Sequence, residues 1–458
     1  MDIKNKTIFG SVMSDLLKFI QFKDLTNWSV NHYISINNVD AKYNLVKISE
    51  ILKQVKNQEI LKDEKSYQLA GIHSHGKGLF HRTIKSGKDI RSKTLNALQT
   101  NQFVYSRLGS HTGSFDMVSN KFNDYYVSNE MPTFEFKNNN INPYFLKLVF
   151  LLKKYWRDIE KSLQGTAHKR FKEKGFLNLK IPLPPLEAQQ KIVKNYQEKV
   201  NLAKKQNRAA QQKETKIEAY LYQELGIELP KEKKQNKDVL QFVSFKDLQE
   251  WGHSFATNKK QAIKSKYSIF KVDNVCVIGS GGTPSRDNLD YYKGNIPWVK
   301  TTEVRNNCIL NTFENITKAA VKDKNLKLYP KGSLIMAMYG QGLTRGRMSK
   351  LNIEATTNQA CAVFYNFSNK INVDYLWFYL QNEYDNLRAL ASGNNQPNLN
   401  SQKIKNYPIV VPPLEVQNKI ASHIQNLKNE IQGLKQQAEQ NQKEALSEFE
   451  AEIFNAAP

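Results

Sequence analysis

The sequence predicts a chain of the α/β (α+β) class: an internal tandem repeat with pseudo-two-fold symmetry, in which two mixed α/β domains are separated by two long helices forming an antiparallel coiled coil. Three observations predict it. Short landmarks recur about half a chain apart, each half closes on the same proline-rich signature, and an apolar stripe of helical spacing follows each signature. At 458 residues the chain exceeds one ordinary domain, and with 40% hydrophobic residues it can fill more than one core.

The first landmark, Phe22-Lys23-Asp24-Leu25-Thr26-Asn27-Trp28, returns as Phe245-Lys246-Asp247-Leu248-Gln249-Glu250-Trp251. Deeper in each half, Ile141-Asn142-Pro143-Tyr144-Phe145-Leu146 is matched by Ile371-Asn372-Val373-Asp374-Tyr375-Leu376. The closing signatures are Pro184-Pro185-Leu186-Glu187-Ala188-Gln189-Gln190-Lys191-Ile192 and Pro412-Pro413-Leu414-Glu415-Val416-Gln417-Asn418-Lys419-Ile420. The offsets, 223, 230 and 228, drift only by small insertions, as a duplication requires. Between the landmarks the halves diverge, and Tyr67 to Asp89 has no counterpart.

Within the halves, runs such as Ser333–Tyr339 and Gln359–Tyr365 predict short strands, and helices are expected around 142–162 and 372–391. The prolines of each signature stop a strand and suit a helix start, where Glu187 or Glu415 meets the positive end of the helix dipole. The first helix carries the stripe Val193, Tyr196, Val200, Ala203, Asn207, Ala210, Glu214, Ile217, Leu221. The second carries Ile420, Ile424, Leu427, Ile431, Leu434, Ala438, Asn441, Ala445. Both read as coiled-coil seams, with Asn207 and Asn441 as register-fixing polar positions. Gly226 is expected to end the first helix, and Pro230–Lys237 reads as a polar linker. The expected boundaries are a domain over 1–183, a helix over 184–225, a linker over 226–241, a second domain over 242–411 and a closing helix over 412–458.

Charge gives the first functional clue. Lys and Arg number 67 against 43 Asp and Glu, a formal +24 that points to a polyanion. Nucleic acid fits best, ahead of a ribosomal type of basic protein or an anionic-membrane binder. No apolar run approaches the roughly 18 residues of a membrane span, and Met1–Lys6 has no secretory apolar stretch. Cys276, Cys308 and Cys361 stand far apart, without disulfide-framework or zinc-ribbon spacing, which suits a reducing cytoplasm.

Enzyme readings fail on particular residues. Gly71-Ile72-His73-Ser74-His75-Gly76-Lys77-Gly78 has the start of a Walker A loop, but Gly78 stands where Ser or Thr must hold magnesium; a turn against DNA phosphate explains its glycines better. Ile278–Pro284 has part of a dinucleotide fingerprint, with Pro284 in place of the last glycine. Asn142-Pro143-Tyr144-Phe145 lacks one proline of an adenine-methyltransferase loop and reads instead as a helix start. His73, His75 and His81 lack a carboxylate or cysteine partner for a metal site. No catalytic residue and no metal site are expected.

The alternation of variable domain and Pro-Pro-Leu-Glu helix, twice over, resembles the DNA-specificity subunit of Type I restriction–modification enzymes. The second domain strengthens the resemblance with Gly281-Gly282-Thr283-Pro284-Ser285, Tyr292-Lys293-Gly294-Asn295-Ile296-Pro297-Trp298-Val299, Ala355-Thr356-Thr357-Asn358-Gln359-Ala360 and Pro397-Asn398-Leu399. The resemblance covers nearly the whole chain, although the first domain has Gly71–Phe80 in place of the Gly-Gly-Thr-Pro form.

The resemblance implies a non-catalytic recognition subunit, in which each domain reads one half of a bipartite site in double-stranded DNA. It implies that the helices act as a ruler and dock two methyltransferase (modification) subunits, with restriction subunits completing the complex. A helix of about 36 residues spans roughly 54 Å. No cofactor is expected on this chain; AdoMet, ATP and Mg are expected on the partner subunits. The rival function is a stand-alone structural or regulatory DNA-binding protein of the same architecture. Arg suits guanine and Asn or Gln suits adenine, so the expected DNA contacts lie on polar, often glycine-flanked loops. In the first domain they are His73, Lys77, Arg82, Arg107, His111, His168, Lys169 and Arg170. In the second they are Thr283, Ser285, Arg286, Lys300, Gln341, Arg345, Arg347 and the amide-rich run Asn394, Asn395, Gln396 and Asn398.

Overall fold

A computed structural model describes residues 41–163, 170–227, 264–340, 343–391 and 398–455. The landmarks at 22–28 and 245–251 and most of the expected linker lie outside the described residues. The chain divides into two compact units, Met1–Lys205 with Gln437–Pro458, and Gln206–Gln436.

The first unit runs β1 (Leu45–Lys47), α1 (Ile48–Ile51), β2 (Leu52–Val55), β3 (Gln58–Ile60), β4 (Ser66–His73), β5 (Gly78–Ser86), β6 (Thr94–Ala97), β7 (Phe103–Tyr105), β8 (Phe115–Met117), β9 (Tyr126–Val127) and β10 (Thr133–Phe136). It continues through α2 (Pro143–Val149), α3 (Lys153–Ser162), α4 (Glu173–Asn178) and β11 (Lys180–Pro182) into the long α5 (Leu186–Leu225), whose latter part belongs to the second unit. An antiparallel sheet has the order β2-β10-β7-β8, a second sheet the order β3-β6-β9-β4-β5, and β1 pairs with β11. Strand β7 is buried on both faces, and the two-residue period of a strand says why. Phe103 and Tyr105 enter an aromatic core with Phe115, Phe134, Phe150 and Phe176, while Val104 points the other way into a core of Ala70, Leu79, Leu98 and Val127.

The second unit contains β12 (Ile269–Lys271), β13 (Val277–Ser280), β14 (Ile296–Val299), β15 (Cys308–Ile309), β16 (Asn315–Ile316), α6 (Lys318–Asp323), β17 (Leu334–Ala337), β18 (Met348–Leu351), β19 (Thr356–Thr357) and β20 (Cys361–Tyr365). It ends in α7 (Val373–Asn382), α8 (Tyr384–Ala389), α9 (Ser401–Lys405), β21 (Pro408–Val410) and the long α10 (Leu414–Ile453), which finishes in the first unit. The main sheet has the order β13-β20-β17-β18-β15, and β12 pairs with β21. Leu334 and Met336 of β17 face one core while Ile335 and Ala337 face another, so this strand is apolar throughout rather than alternating.

The duplication is therefore structural as well as sequential. The order β2-β10-β7-β8 is repeated as β13-β20-β17-β18, β1–β11 as β12–β21, and the short helices and the long helix follow in the same places. The inserted parts differ: β3-β6-β9-β4-β5 in the first unit, and β16-β14-β19 with α6 in the second. The expected helices at 142–162 and 372–391 are each broken in two, at 150–152 and at Glu383. Asn142 and Asn372 cap them, Asn142 accepting from the Tyr144 and Phe145 amides and Asn372 from that of Tyr375. With Pro143 in the first turn, this is the helix start expected for Asn142–Phe145.

Helices α5 and α10, each of 40 residues, pair antiparallel: within the first unit Tyr196 and Lys199 meet Phe449, Glu444 and Glu448. Within the second, Lys213, Glu214 and Glu224 meet Glu430, Lys435 and Lys419. Ala203, Ala210, Ala438 and Ala445 are fully buried, and such small side chains let helix axes approach closely. Val193, Leu221, Ile420, Ile424 and Ile431 are also buried, and Tyr196, Val200, Ile217, Leu427 and Leu434 are half-buried.

Two positions of the expected stripe are corrected. Asn207 and Glu214 are exposed, and the half-buried Gln206 and Lys213 stand one residue earlier. Either the third or the fourth residue after Ala203 continues a heptad, so packing, not the periodicity, decides which one is buried. Asn441 is half-buried as expected, and Gly226, with φ of 60°, ends α5.

Each long helix is also fastened to its own domain by the same glutamine. Gln189 Nε2 donates to Asn140 O (2.9 Å) and Pro184 O (2.8 Å), while its Oε1 accepts from the Asn142 amide (2.8 Å). Gln417 repeats the set with Lys370 O (2.9 Å), Pro412 O (2.7 Å) and the Asn372 amide (2.8 Å). Both are fully buried. The glutamine in each Pro-Pro-Leu-Glu-x-Gln signature thus locks helix, strand end and helix cap together.

Candidate nucleic-acid interface

Strand register gathers the variable loops of the second unit. Ser280 at the end of β13 faces Ala362, Ala337 at the end of β17 faces Cys361, and Met336 faces Met348. Segments 281–287, 338–340, 343–347 and 358–360 therefore lie at one end of the sheet. The amide of Leu399 donates to Met338 O (3.1 Å) and that of Asn358 to Val299 O (3.0 Å), which brings Asn398 and Lys300 to the same end. Of the sequence-derived candidates, Thr283, Ser285, Arg286, Lys300, Arg345, Arg347 and Asn398 all come together here. Gln341, Asn394, Asn395 and Gln396 lie outside the described residues.

Two sequence motifs prove to be halves of one structure. Trp298 Nε1 donates to Gly282 O (3.1 Å) and the Tyr292 hydroxyl donates to Pro284 O (2.7 Å), so the Tyr-Lys-Gly-Asn-Ile-Pro-Trp run buttresses the Gly-Gly-Thr-Pro-Ser loop. The Gly282 amide donates to Thr357 O (2.9 Å), joining the Ala-Thr-Thr-Asn run. A Cβ on Gly281 would lie 1.6 Å from Thr357 O, so no side chain fits. Gly281→Ala should therefore displace the loop and cost about 1–3 kcal/mol in denaturant unfolding.

The electrostatics centre on Glu314. It pairs with Arg286 (2.7 Å) and with Lys300, and Lys300 first, then Arg286, hold its carboxyl below the ordinary range against partial burial. Sequence reasoning missed Arg305 and Arg388, which the fold brings to the same end. Arg305 donates its amide to Ser349 Oγ (3.1 Å), and Arg388 Nη1 donates to Arg345 O (2.9 Å). Neither stands in a glycine-flanked loop, and only strand pairing and helix α8 reveal them. The side-chain carbonyl oxygens of Asn358 and Asn398 are buried without a hydrogen-bond partner among the described residues.

In the first unit the corresponding end carries different residues. Tyr105 faces Phe115, the His75 amide donates to Thr112 O (2.6 Å), the Arg107 amide to Glu130 O (2.9 Å) and the Phe171 amide to Arg107 O (3.0 Å). These contacts collect His73, Lys77, Arg107, His111 and Arg170; His168 and Lys169 lie outside the described residues. Arg82 stands apart, at a bulge within β5.

Three features of this unit bear on the expected contacts. Arg107 is committed internally, its guanidinium pairing with Glu173 and donating to Asn129 O (3.1 Å), which makes it a tie between loops. Burial raises the Glu173 carboxyl pKa, but Arg107, a backbone hydrogen bond and Gln54 together outweigh it and the net shift is downward. Arg170 is held by Glu130 (3.0 Å) but remains exposed. In the turn at 74–77 the amides of His75 and Gly76 are spent on Thr112 O and Gly113 O, so these two do not form a phosphate-binding turn, while the side chains of His75 and Lys77 are exposed. The rings of His73, His75 and His81 pack on Phe80, Trp156 and Tyr125 respectively.

Comparison with known proteins places this architecture. The specificity subunit of the Type I restriction enzyme MjaIX of Methanocaldococcus jannaschii is 27% identical over 45% of this chain, and the chain spans only 48% of that subunit's length. The EcoR124I/EcoR124II specificity subunit of Escherichia coli is 25% identical over 70% of this chain and 76% of its own. The MjaVIII specificity subunit of M. jannaschii is 24% identical over 88% of this chain and 90% of its own. A chain from a solved structure of a type I R-M system superposes with a TM-score of 0.59 at 13% identity, over 91% of this chain and 98% of that one, a likeness of fold. The family described as the Type I restriction modification DNA specificity domain matches twice, at residues 40–218 and 264–442, so the chain belongs to that family and carries its domain in duplicate.

Proposed function

We propose that this chain is the DNA-specificity subunit of a Type I restriction–modification complex. Each unit reads one half of a bipartite duplex site through the loops at the end of its main sheet. The paired helices space the two half-sites and dock two methyltransferase subunits, which restriction subunits join in the full nuclease. The chain supplies recognition and no catalytic group; AdoMet belongs to the methyltransferase subunits, and ATP and Mg to the partners. One observation carries the reading: a strand order repeated in both units presents unlike loops at equivalent ends, as two readers of different half-sites require.

The +24 formal charge supports association with phosphates, and Arg286, Arg305, Arg345, Arg347 and Arg388 supply donors suited to base edges and backbone. Sequencing the methylated bases of the host genome, with and without this chain, tests it. The expected outcome is one two-part adenine-methylated motif that disappears with the gene. An unchanged methylation pattern would overturn the proposal.

A further inference from the structure

Arg286 and Lys300 converge on one carboxylate that the recognition reading does not itself require. Glu314 Oε2 accepts from Arg286 Nη2 at 2.7 Å and its Oε1 accepts from Lys300 Nζ. The Arg286 guanidinium also lies 4.0 Å from the centre of the Tyr292 ring and 5.4 Å from that of Trp298. These are the aromatics that hold the carbonyls of the loop from which Arg286 springs. A planar cation is thus held against aromatic rings and bonded at one donor, and its remaining N–H donors are uncommitted among the described residues. Its side chain is still 53% exposed.

The carboxylate bonds to no backbone group among the described residues. Strand pairing at this point uses the backbone, the Trp298 amide and the Thr312 hydroxyl both donating to Glu314 O (3.2 and 2.9 Å). A partly exposed ion pair adds little to stability. On a surface that meets a polyanion, an acid between two cations lowers attraction to any phosphate. It also orients the guanidinium, and orientation is what bidentate base readout demands.

We propose that Glu314 is a specificity-determining positioning residue: it presents Arg286 to a base edge and withholds Arg286 and Lys300 from indiscriminate phosphate contact. The inference rests on the proposed reading of the chain as a duplex-DNA reader. The test uses the full chain with Glu314→Gln and Glu314→Asp variants. Each is titrated with random-sequence duplex DNA at several salt concentrations, and preferred sequences are selected from the same pool.

Glu314→Gln should bind the random duplex roughly tenfold more tightly, with a salt slope steeper by about 1–2. It should lose preference at one base pair of a single half-site, with the other half-site and the unfolding midpoint unchanged, and Glu314→Asp should recover the preference. Unchanged random-duplex affinity with unchanged preference would overturn the proposal. So would a uniform loss of binding with a lowered unfolding midpoint, which would make Glu314 a folding residue. A wild-type chain that selects no sequence would overturn the recognition reading itself, and this inference with it.

Discussion

Exchanging residues 264–411 for the corresponding segment of another family member should replace the preference for one half of the DNA site and leave the other half unaltered. Both ends of the segment lie next to one two-stranded sheet, in which Ile269 faces Val410 and Lys271 faces Pro408, so the graft opens and closes at neighbouring points. Three apolar clusters lie wholly or largely inside it: one around Leu334, Phe364 and Tyr375, one around Val299, Ile335 and Val363, and one around Trp298 and Ile316. The first cluster also takes in Leu221, Leu225, Ile420 and Ile424 of the long helices. The incoming domain must therefore match these residues and the buried Ala421, or it will fold poorly. With that match kept, the methylated motif of the hybrid should change completely in one half, by sequencing of methylated bases. A change in both halves at once would mean that the units do not read independently.

Gln417→Leu should be among the most destabilising single substitutions in the second unit. Leucine fills similar space but leaves the Asn372 amide, Lys370 O and Pro412 O without the partner they share in a buried side chain. Each orphaned group costs about 1–3 kcal/mol, so a total loss of about 3–5 kcal/mol is expected after partial relaxation. Gln417→Glu should be nearly as damaging, since a carboxylate accepts from the amide but faces two carbonyl oxygens. Gln189→Leu should do the same to the first unit. Replacing the exposed Gln425 by leucine should change stability by less than about 0.5 kcal/mol. Denaturant unfolding of the full chain, with hydrogen exchange at the start of α7 for Gln417, reads both effects. A loss no larger than that of the exposed control would show that the lock is redundant.

The same glutamine shows how legibility in the sequence divides. Gln189 and Gln417 stand at equal places in the repeated signature and are visible to anyone comparing the halves. Their work is not visible, because their partners lie up to 49 residues away in sequence and meet them only after the strand before each helix has paired. The candidate contacts behave alike. Arg286 and Lys300 were legible as cations near a glycine-rich loop, while Glu314 between them was not, nor were Arg305 and Arg388 at the same sheet end. Arg107 looked like a contact by residue type and loop position, but Glu173 takes its guanidinium.

The duplication, the two long helices with most of their buried stripe, the caps at Asn142 and Asn372, and the basic surplus could all be read from the chain's residues alone. Each of these is local or periodic: a heptad, a cap residue and a repeated signature act through neighbours within a turn or two. Tertiary packing alone leaves Gln206 half-buried and Asn207 exposed, spends the amides of the histidine turn on residues 112 and 113, and brings Asn398 to the same sheet end as the loop at 281–287. Those outcomes depend on strand register. Register is set when both faces of β7 and β17 find their separate cores, a condition that no single segment of the chain carries.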